Sequence, residues 1–299
     1  MTQSVWDSVV GQTKAVEQLH QLAINHVHAY LFIGPEGCGK DEAARAFATQ
    51  LITGSDNATS READLIMRGS FSDVIEVLRE GAAVDKDEAE AIIRLATTTP
   101  TESKVKVVIV HEVHLMRDSA AARLLKTIEE PSEKVIFILL ADQLVPSLAT
   151  INSRCVVVQF AANNAYRERL LANDPQFAHR QEAFASIPYK LDGSGATVAL
   201  IVDEIFELIE QATVPLISEQ KKELDDLEAR VSLTGERGSG RKALQDRHKR
   251  QLRKFNTDEL RSGLSTIAGT YHSLIISETQ YPDESKYHDA IHRIHKAMG

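Results

Sequence analysis

The 299-residue chain has only two cysteines, Cys38 and Cys155. So few exclude a multi-disulfide framework and a four-thiolate zinc module. Long hydrophobic runs are missing too. The longest, Val135 to Ala141, is far too short to span a bilayer, which takes about 20 apolar residues. The opening residues, MTQSVWD, have neither a basic start nor an apolar stretch, so no signal peptide is expected. Positive charge is also in short supply: 34 Lys and Arg stand against 43 Asp and Glu, a net charge of −9. That excludes a small basic protein that binds nucleic acid by bulk charge, because phosphate affinity comes from clustered Lys and Arg. What remains is a reduced, mildly acidic protein, expected in the cytoplasm. Its apolar content of 43% is ordinary, and at roughly 100–200 residues per domain the length fits two or three domains.

The first half alternates strand-like and helix-like segments. Strands are expected at 29–33, 105–110, 135–141 and 156–160, and helices at 41–51 and 119–130, the second stopped by Pro131. The runs at 105–110 and 135–141 are nearly continuous rather than alternating, as in parallel strands covered on both faces. After Phe160 no strand is expected. Helices are expected at 197–212 and 218–231, with a glycine-rich break at 235–240. Leu260, Leu264, Ile267, Tyr271 and Leu274 recur at steps of four and three, an apolar stripe best explained as core packing.

Gly34-Pro-Glu-Gly37-Cys38-Gly39-Lys40 fits the pattern G-x4-G-K between a strand and a helix. In such a loop the backbone N–H groups and the helix N-terminus hold phosphate, and the lysine reaches the terminal phosphates. The next residue should be Ser or Thr, whose hydroxyl binds Mg²⁺. It is Asp41, whose charge would oppose a triphosphate. The strand at 105–110 should lead into Asp-Glu, but His111-Glu112 follows. Imidazole is a poor ligand for the hard Mg²⁺ ion. Glu112 keeps an acid–base option.

His28-Ala-Tyr-Leu-Phe-Ile-Gly34, Leu124-Leu-Lys-Thr-Ile-Glu-Glu-Pro131 and Ser153-Arg154-Cys155 together resemble the AAA+ subunits of bacterial DNA polymerase III clamp loaders. Val9-Val-Gly11-Gln12 is similar to the family's segment against the adenine base. Arg247 to Lys254, Asp258-Glu-Leu and Gly263-Leu resemble the collar of the delta-prime class. The likeness is dense over 5–160 and sparse over 161–245. It implies an α/β fold: an AAA+ P-loop parallel-sheet core at 1–160, a small helical lid at 161–212 and an all-α collar at 213–299.

The same resemblance implies a hetero-oligomeric loader in which this chain is a stator beside ATPase motor subunits and a delta subunit. The sliding clamp and primer–template DNA would be indirect partners, with no membrane. Arg154 would be an arginine finger acting on a neighbour's ATP. Gly34, Gly37, Gly39 and Lys40 would form a degenerate P-loop, and Asp41, His111 and Glu112 a degenerate Mg²⁺ site. The first sensor is eroded at Ala141-Asp142-Gln143, and no second-sensor arginine stands in Gly193 to Leu200. Four eroded positions imply that hydrolysis is no longer required. No cofactor is assigned as certain. ATP with Mg²⁺ is the family ligand, and a loop that holds nucleotide without hydrolysing it is a further option. The family's four-cysteine module is replaced by Thr53 to Arg61, so no zinc is expected. The alternative is an active AAA+ ATPase, with Asp41 and His111 as working substitutes.

Three lesser features remain. His288, His292 and His295 fall on one helix face at spacings open to a metal, but scattered histidines explain them better. Arg237 to Lys254 holds eight Lys or Arg and one Asp, a local net of +7. It is read first as a solvated helical face and second as a contact for DNA or an acidic partner. Neither cysteine is an expected nucleophile, and Cys155 reads as a small buried residue behind Arg154.

Overall fold

The computed structural model of the chain describes residues 3–79, 84, 86–130, 132, 134–163, 165–192, 194–234, 239–277 and 284–298. It forms two compact units, residues 1–169 and 170–299. In the first, α1 (Thr13–Ile24) precedes β1 (Ala29–Ile33), α2 (Lys40–Thr53) and α3 (Arg61–Met67). Then come β2 (Val74–Val77), α4 (Lys86–Thr97), β3 (Lys106–Val110) and α5 (Asp118–Glu129). β4 (Val135–Ala141), α6 (Ala149–Asn152), β5 (Val156–Gln159) and α7 (Ala165–Asn173) follow, the last crossing the boundary between the units.

The five strands form one parallel sheet in the order β2-β3-β4-β1-β5. Its two faces explain the continuous apolar runs. Successive side chains of a strand point to opposite faces. Tyr30, Phe32, Val107, Ile109, Ile138 and Leu140 pack on one side with Leu19 and Phe47. Leu31, Ile33, Val108, Val110, Phe137 and Leu139 pack on the other with Ile92, Leu124 and Ile128. Each such side chain contributes about 1.5–3 kcal/mol on burial, so helices on both faces are needed to cover this sheet.

The expected strands agree with the structure to within a residue. β2 was not expected. It is four residues long, lies at the sheet edge, and carries Glu76 in its middle. Pro131 lies outside the described residues. In place of a cysteine module, the loop between α2 and α3 is braced by the start of the chain. Ser4 and Asn57 form an antiparallel bridge, Val5 N–H donates to Asp56 O at 2.8 Å, and Ala58 N–H donates to Gln3 O at 2.8 Å.

The second unit is helical among the described residues, with α8 (Pro175–Lys190), α9 (Gly195–Thr234), α10 (Ser239–Ser277) and α11 (Glu284–Met298). The two helices expected at 197–212 and 218–231 are one 40-residue helix, α9. Pro215 lies inside it, where it gives up one N–H donor. The expected lid–collar boundary at 212–213 falls inside it. The glycine-rich break overlaps residues 235–238, and Gly193 stands alone; both lie outside the described residues. The stripe on α10 is core packing as expected: Leu260, Leu264, Ile267 and Tyr271 meet Phe184, Ile187, Ile201 and Ile209. Arg180 and Glu259 form a buried two-pronged ion pair, both bonds 2.9 Å. No described helix is long and apolar enough to cross a membrane.

Candidate functional site

Strand order and register bring the loop's surroundings together. β1 and β4 are neighbours with Ile33 opposite Ala141, so Gly34 and Asp142 leave the sheet side by side. Gly34 N–H donates to Ala141 O at 3.1 Å. A Cβ on Gly34 would stand 2.6 Å from the Cβ of Phe160, so a bare backbone is required there. Gly37 and Gly39 have φ of +70° and +94°, the left-handed region glycine enters at little cost. The turn then runs into α2, and Lys40, only 5% exposed, folds back over the loop. Its Nζ lies 2.7 Å from Asp142 Oδ1 and donates to Pro35 O at 3.3 Å. Burial disfavours the Lys40 charge, but the charges of Asp142 and Asp41 outweigh it and raise its pKa.

The expected metal positions bond to one another. Asp41 Oδ1 is 2.8 Å from His111 Nδ1, and His111 Nε2 is 3.0 Å from Glu76 Oε2. Both ring nitrogens face carboxylates, and both can donate only in the imidazolium form. Glu76 is held from its other side by Arg45, with bonds of 2.6 and 2.9 Å. Burial opposes ionisation of Glu76, yet the Arg45 charge and the His111 bond hold its carboxyl well below the usual range. Glu112, the acid–base candidate, is gripped by Arg79 at 2.6 Å and sits at φ +52°, uncommon for a residue with a side chain. A divalent ion would have to break the Asp41–His111 pair and accept imidazole as a ligand. The residues present therefore do not fit Mg²⁺ in the manner of a phosphate-loop ATPase.

Gln12 is buried and spends its amide on the protein. It donates to Cys38 O at 2.9 Å and Ala161 O at 2.7 Å, and accepts from Ala161 N–H at 3.0 Å. It thereby ties the loop to the segment after β5.

Gly34, Gly37, Gly39, Lys40, Asp41, His111 and Glu112 thus gather at the carboxyl ends of the strands. Arg154 does not join them. It precedes β5, whose first residue pairs with Tyr30 near the start of β1, so it lies at the opposite, amino end of the sheet. There it donates to Glu129, to Thr150 O at 3.1 Å and to Ser153 Oγ at 3.0 Å, with 40% of its side chain exposed. A pocket of about 300 Å³ beside it is lined by His28, Ile128, Arg154 and Cys155, among others. Cys155 is half-buried rather than buried. Burial still pushes its thiol up to about 12, so neither cysteine is poised as a nucleophile.

Glu76, Arg45, Arg79 and His114 escaped the sequence reading. Glu76 sits on the strand that was not expected, and the others carry no motif. Part of the basic segment is paired: Arg241 meets Glu228 at 3.0 Å, Lys254 meets Asp258 at 3.1 Å, and Arg247 and His248 share Glu223. Arg237 lies outside the described residues, as does the His288 side chain. Among the described residues no group of three His, Cys, Asp or Glu side chains is arranged to hold a metal ion.

Comparison with known proteins decides the family. Residues 11–164, just over half of the chain, match the family model for DNA polymerase III, delta subunit. The chain belongs to the DNA polymerase III delta-subunit family. Among relatives of this family member, DNA polymerase III subunit tau of Escherichia coli (strain K12) is 29% identical over 248 residues, 77% of this chain and 38% of that protein. Subunit delta' of Bacillus subtilis (strain 168) is 32% identical over 153 residues, 49% of this chain and 46% of that protein. The chain spans less than half the length of these curated relatives. A crystal structure of a DNA polymerase III gamma subunit-related protein from Thermotoga maritima aligns over 95% of this chain and 91% of its own, with a TM-score of 0.48 and 17% identity.

Proposed function

We propose that this family member is a delta-prime-like stator of the replicative clamp loader. In this reading it scaffolds ATPase motor subunits and a delta subunit in a cytoplasmic hetero-oligomer. It donates Arg154 to a neighbour's ATP and has given up its own hydrolysis. Through that assembly it acts on the sliding clamp and primer–template DNA. Residues 1–160 serve as the AAA+ core, 161–212 as the lid and 213–299 as the collar.

The observation that carries the reading is the Asp41–His111 pair at 2.8 Å, which occupies both positions an ATPase would give to Mg²⁺. The place of Arg154 supports the other half. It stands across the sheet from its own phosphate loop, a placement that suits a finger aimed at another subunit's phosphate. An exposed pair such as Arg154–Glu129 is worth about 0–1 kcal/mol and yields readily to phosphate. A planar guanidinium on a developing γ-phosphate charge accelerates transfer about 10³–10⁵-fold.

The test is DNA-stimulated ATPase of a loader reconstituted from motor subunits, a delta subunit and this chain. Arg154→Ala should depress turnover at one site while the complex still assembles. Unchanged turnover would remove the finger assignment. The second reading is an active motor, with Asp41 and His111 as working substitutes. Robust ATP turnover by the isolated chain would establish it in place of the stator.

A further inference from the structure

Asp142 enters the phosphate loop from the neighbouring strand and takes the contact that a terminal phosphate makes with the loop lysine. Its Oδ1 lies 2.7 Å from Lys40 Nζ, and Lys40 is almost wholly enclosed. The carboxylate is itself held in place. The Asp142 backbone N–H donates to His114 Nδ1 at 3.1 Å, and Oδ2 lies 3.5 Å from Nε2 of the same ring. Around the loop, Lys40, Arg45 and His111 face Asp142, Glu76 and Asp41, each bonded to a carboxylate within 3.0 Å. Each basic side chain of this set already holds a carboxylate that an incoming polyanion would have to displace.

We propose that Asp142 is a built-in anion that closes the phosphate loop, and that removing its charge lets the loop take a polyphosphate without a divalent cation. The register that sets Ala141 beside Ile33 delivers Asp142 to the loop, and the Lys40 Nζ that would bind phosphate is bonded to it instead. A phosphate entering the intact loop must displace this carboxylate and then sit beside two like charges, Asp142 and Asp41. With Asp142 neutral, Lys40 and the loop N–H groups face the ligand directly. The metal adds nothing, because Asp41 and His111 remain bonded to each other. The inference rests on the stator reading for why a closed loop is tolerated, but its test is separate from that reading's.

The test is calorimetric titration of the full chain with ATP and with tripolyphosphate, each in Mg²⁺ and in EDTA. The wild type should give no saturable binding. Asp142→Asn should bind both probes at least about tenfold more tightly, equally in Mg²⁺ and EDTA, and adding Lys40→Met should abolish the gain. Asp142→Ser serves if the Asn variant misfolds. Tight Mg²⁺–ATP binding by the wild type overturns the proposal, as does a neutral variant that binds no better than wild type or only with Mg²⁺. Any of these results leaves the finger experiment on Arg154 to stand or fall by itself.

Discussion

Asp41 Oδ1 lies 2.8 Å from His111 Nδ1, so the two departures from a phosphate-loop ATPase that fall on its magnesium site are bonded to each other. Taken singly, a carboxylate after the loop lysine and an imidazole after β3 are each a defect in a magnesium site. Taken together they compensate, and Glu76 and Arg45 extend the pair into a continuous hydrogen-bonded chain.

His111→Ala should therefore destabilise the first unit. His111 is only 3% exposed, and removing a partner from a buried hydrogen-bonded network costs about 1–3 kcal/mol. Thermal unfolding should show a clear fall in midpoint. A change within experimental error would mean that the network does not hold the fold.

Arg154→Ala should leave the midpoint almost unchanged, within about 0.5 kcal/mol, because its partners are exposed. The same variant is expected to impair a reconstituted loader. That contrast separates a functional arginine from a structural one, and a large loss of stability would favour the structural role.

Asp73 accepts hydrogen bonds from Thr101, Glu102 and Ser103. Burial opposes its ionisation, but these donors outweigh burial and bring its pKa to about 2. The folded value is depressed, so the stabilisation is complete above the unfolded value of about 3.9. It is lost as pH falls toward 2. Urea titrations should show wild type more stable than Asp73→Asn at pH 6, with the gap narrowing between pH 4 and 2. A gap that widens in acid contradicts the assignment.

Gly263 on α10 leaves room for Phe184: a Cβ there would lie 2.3 Å from the ring. Although alanine is the better helix former, Gly263→Ala should cost about 1–3 kcal/mol by overpacking. Combining it with Phe184→Leu should recover part of the loss. Stabilisation by the single change would show that the contact is looser than this.

Much of the core was legible because burial on both faces of a parallel sheet writes itself into the chain as continuous apolar runs such as 107–110 and 135–141. The phosphate loop was legible because its glycines are needed for local backbone reasons. β2 was not, since an edge strand of four residues with a glutamate inside has no distinctive pattern. α9 was read as two helices, 197–212 and 218–231, and the structure runs them together through Pro215.

The sequence by itself determined the α/β order of the first unit, the place of the phosphate loop, its departures at Asp41 and His111, and the apolar stripe of α10. These follow from near neighbours in the chain and from the periods of strand and helix. Only the tertiary structure decided that Asp41 bonds His111, that Asp142 holds Lys40, that Glu76 joins them, and that Arg154 stands at the far end of the sheet. Those facts depend on strand order and register, which set residues distant in sequence side by side, and no local pattern of residues encodes them.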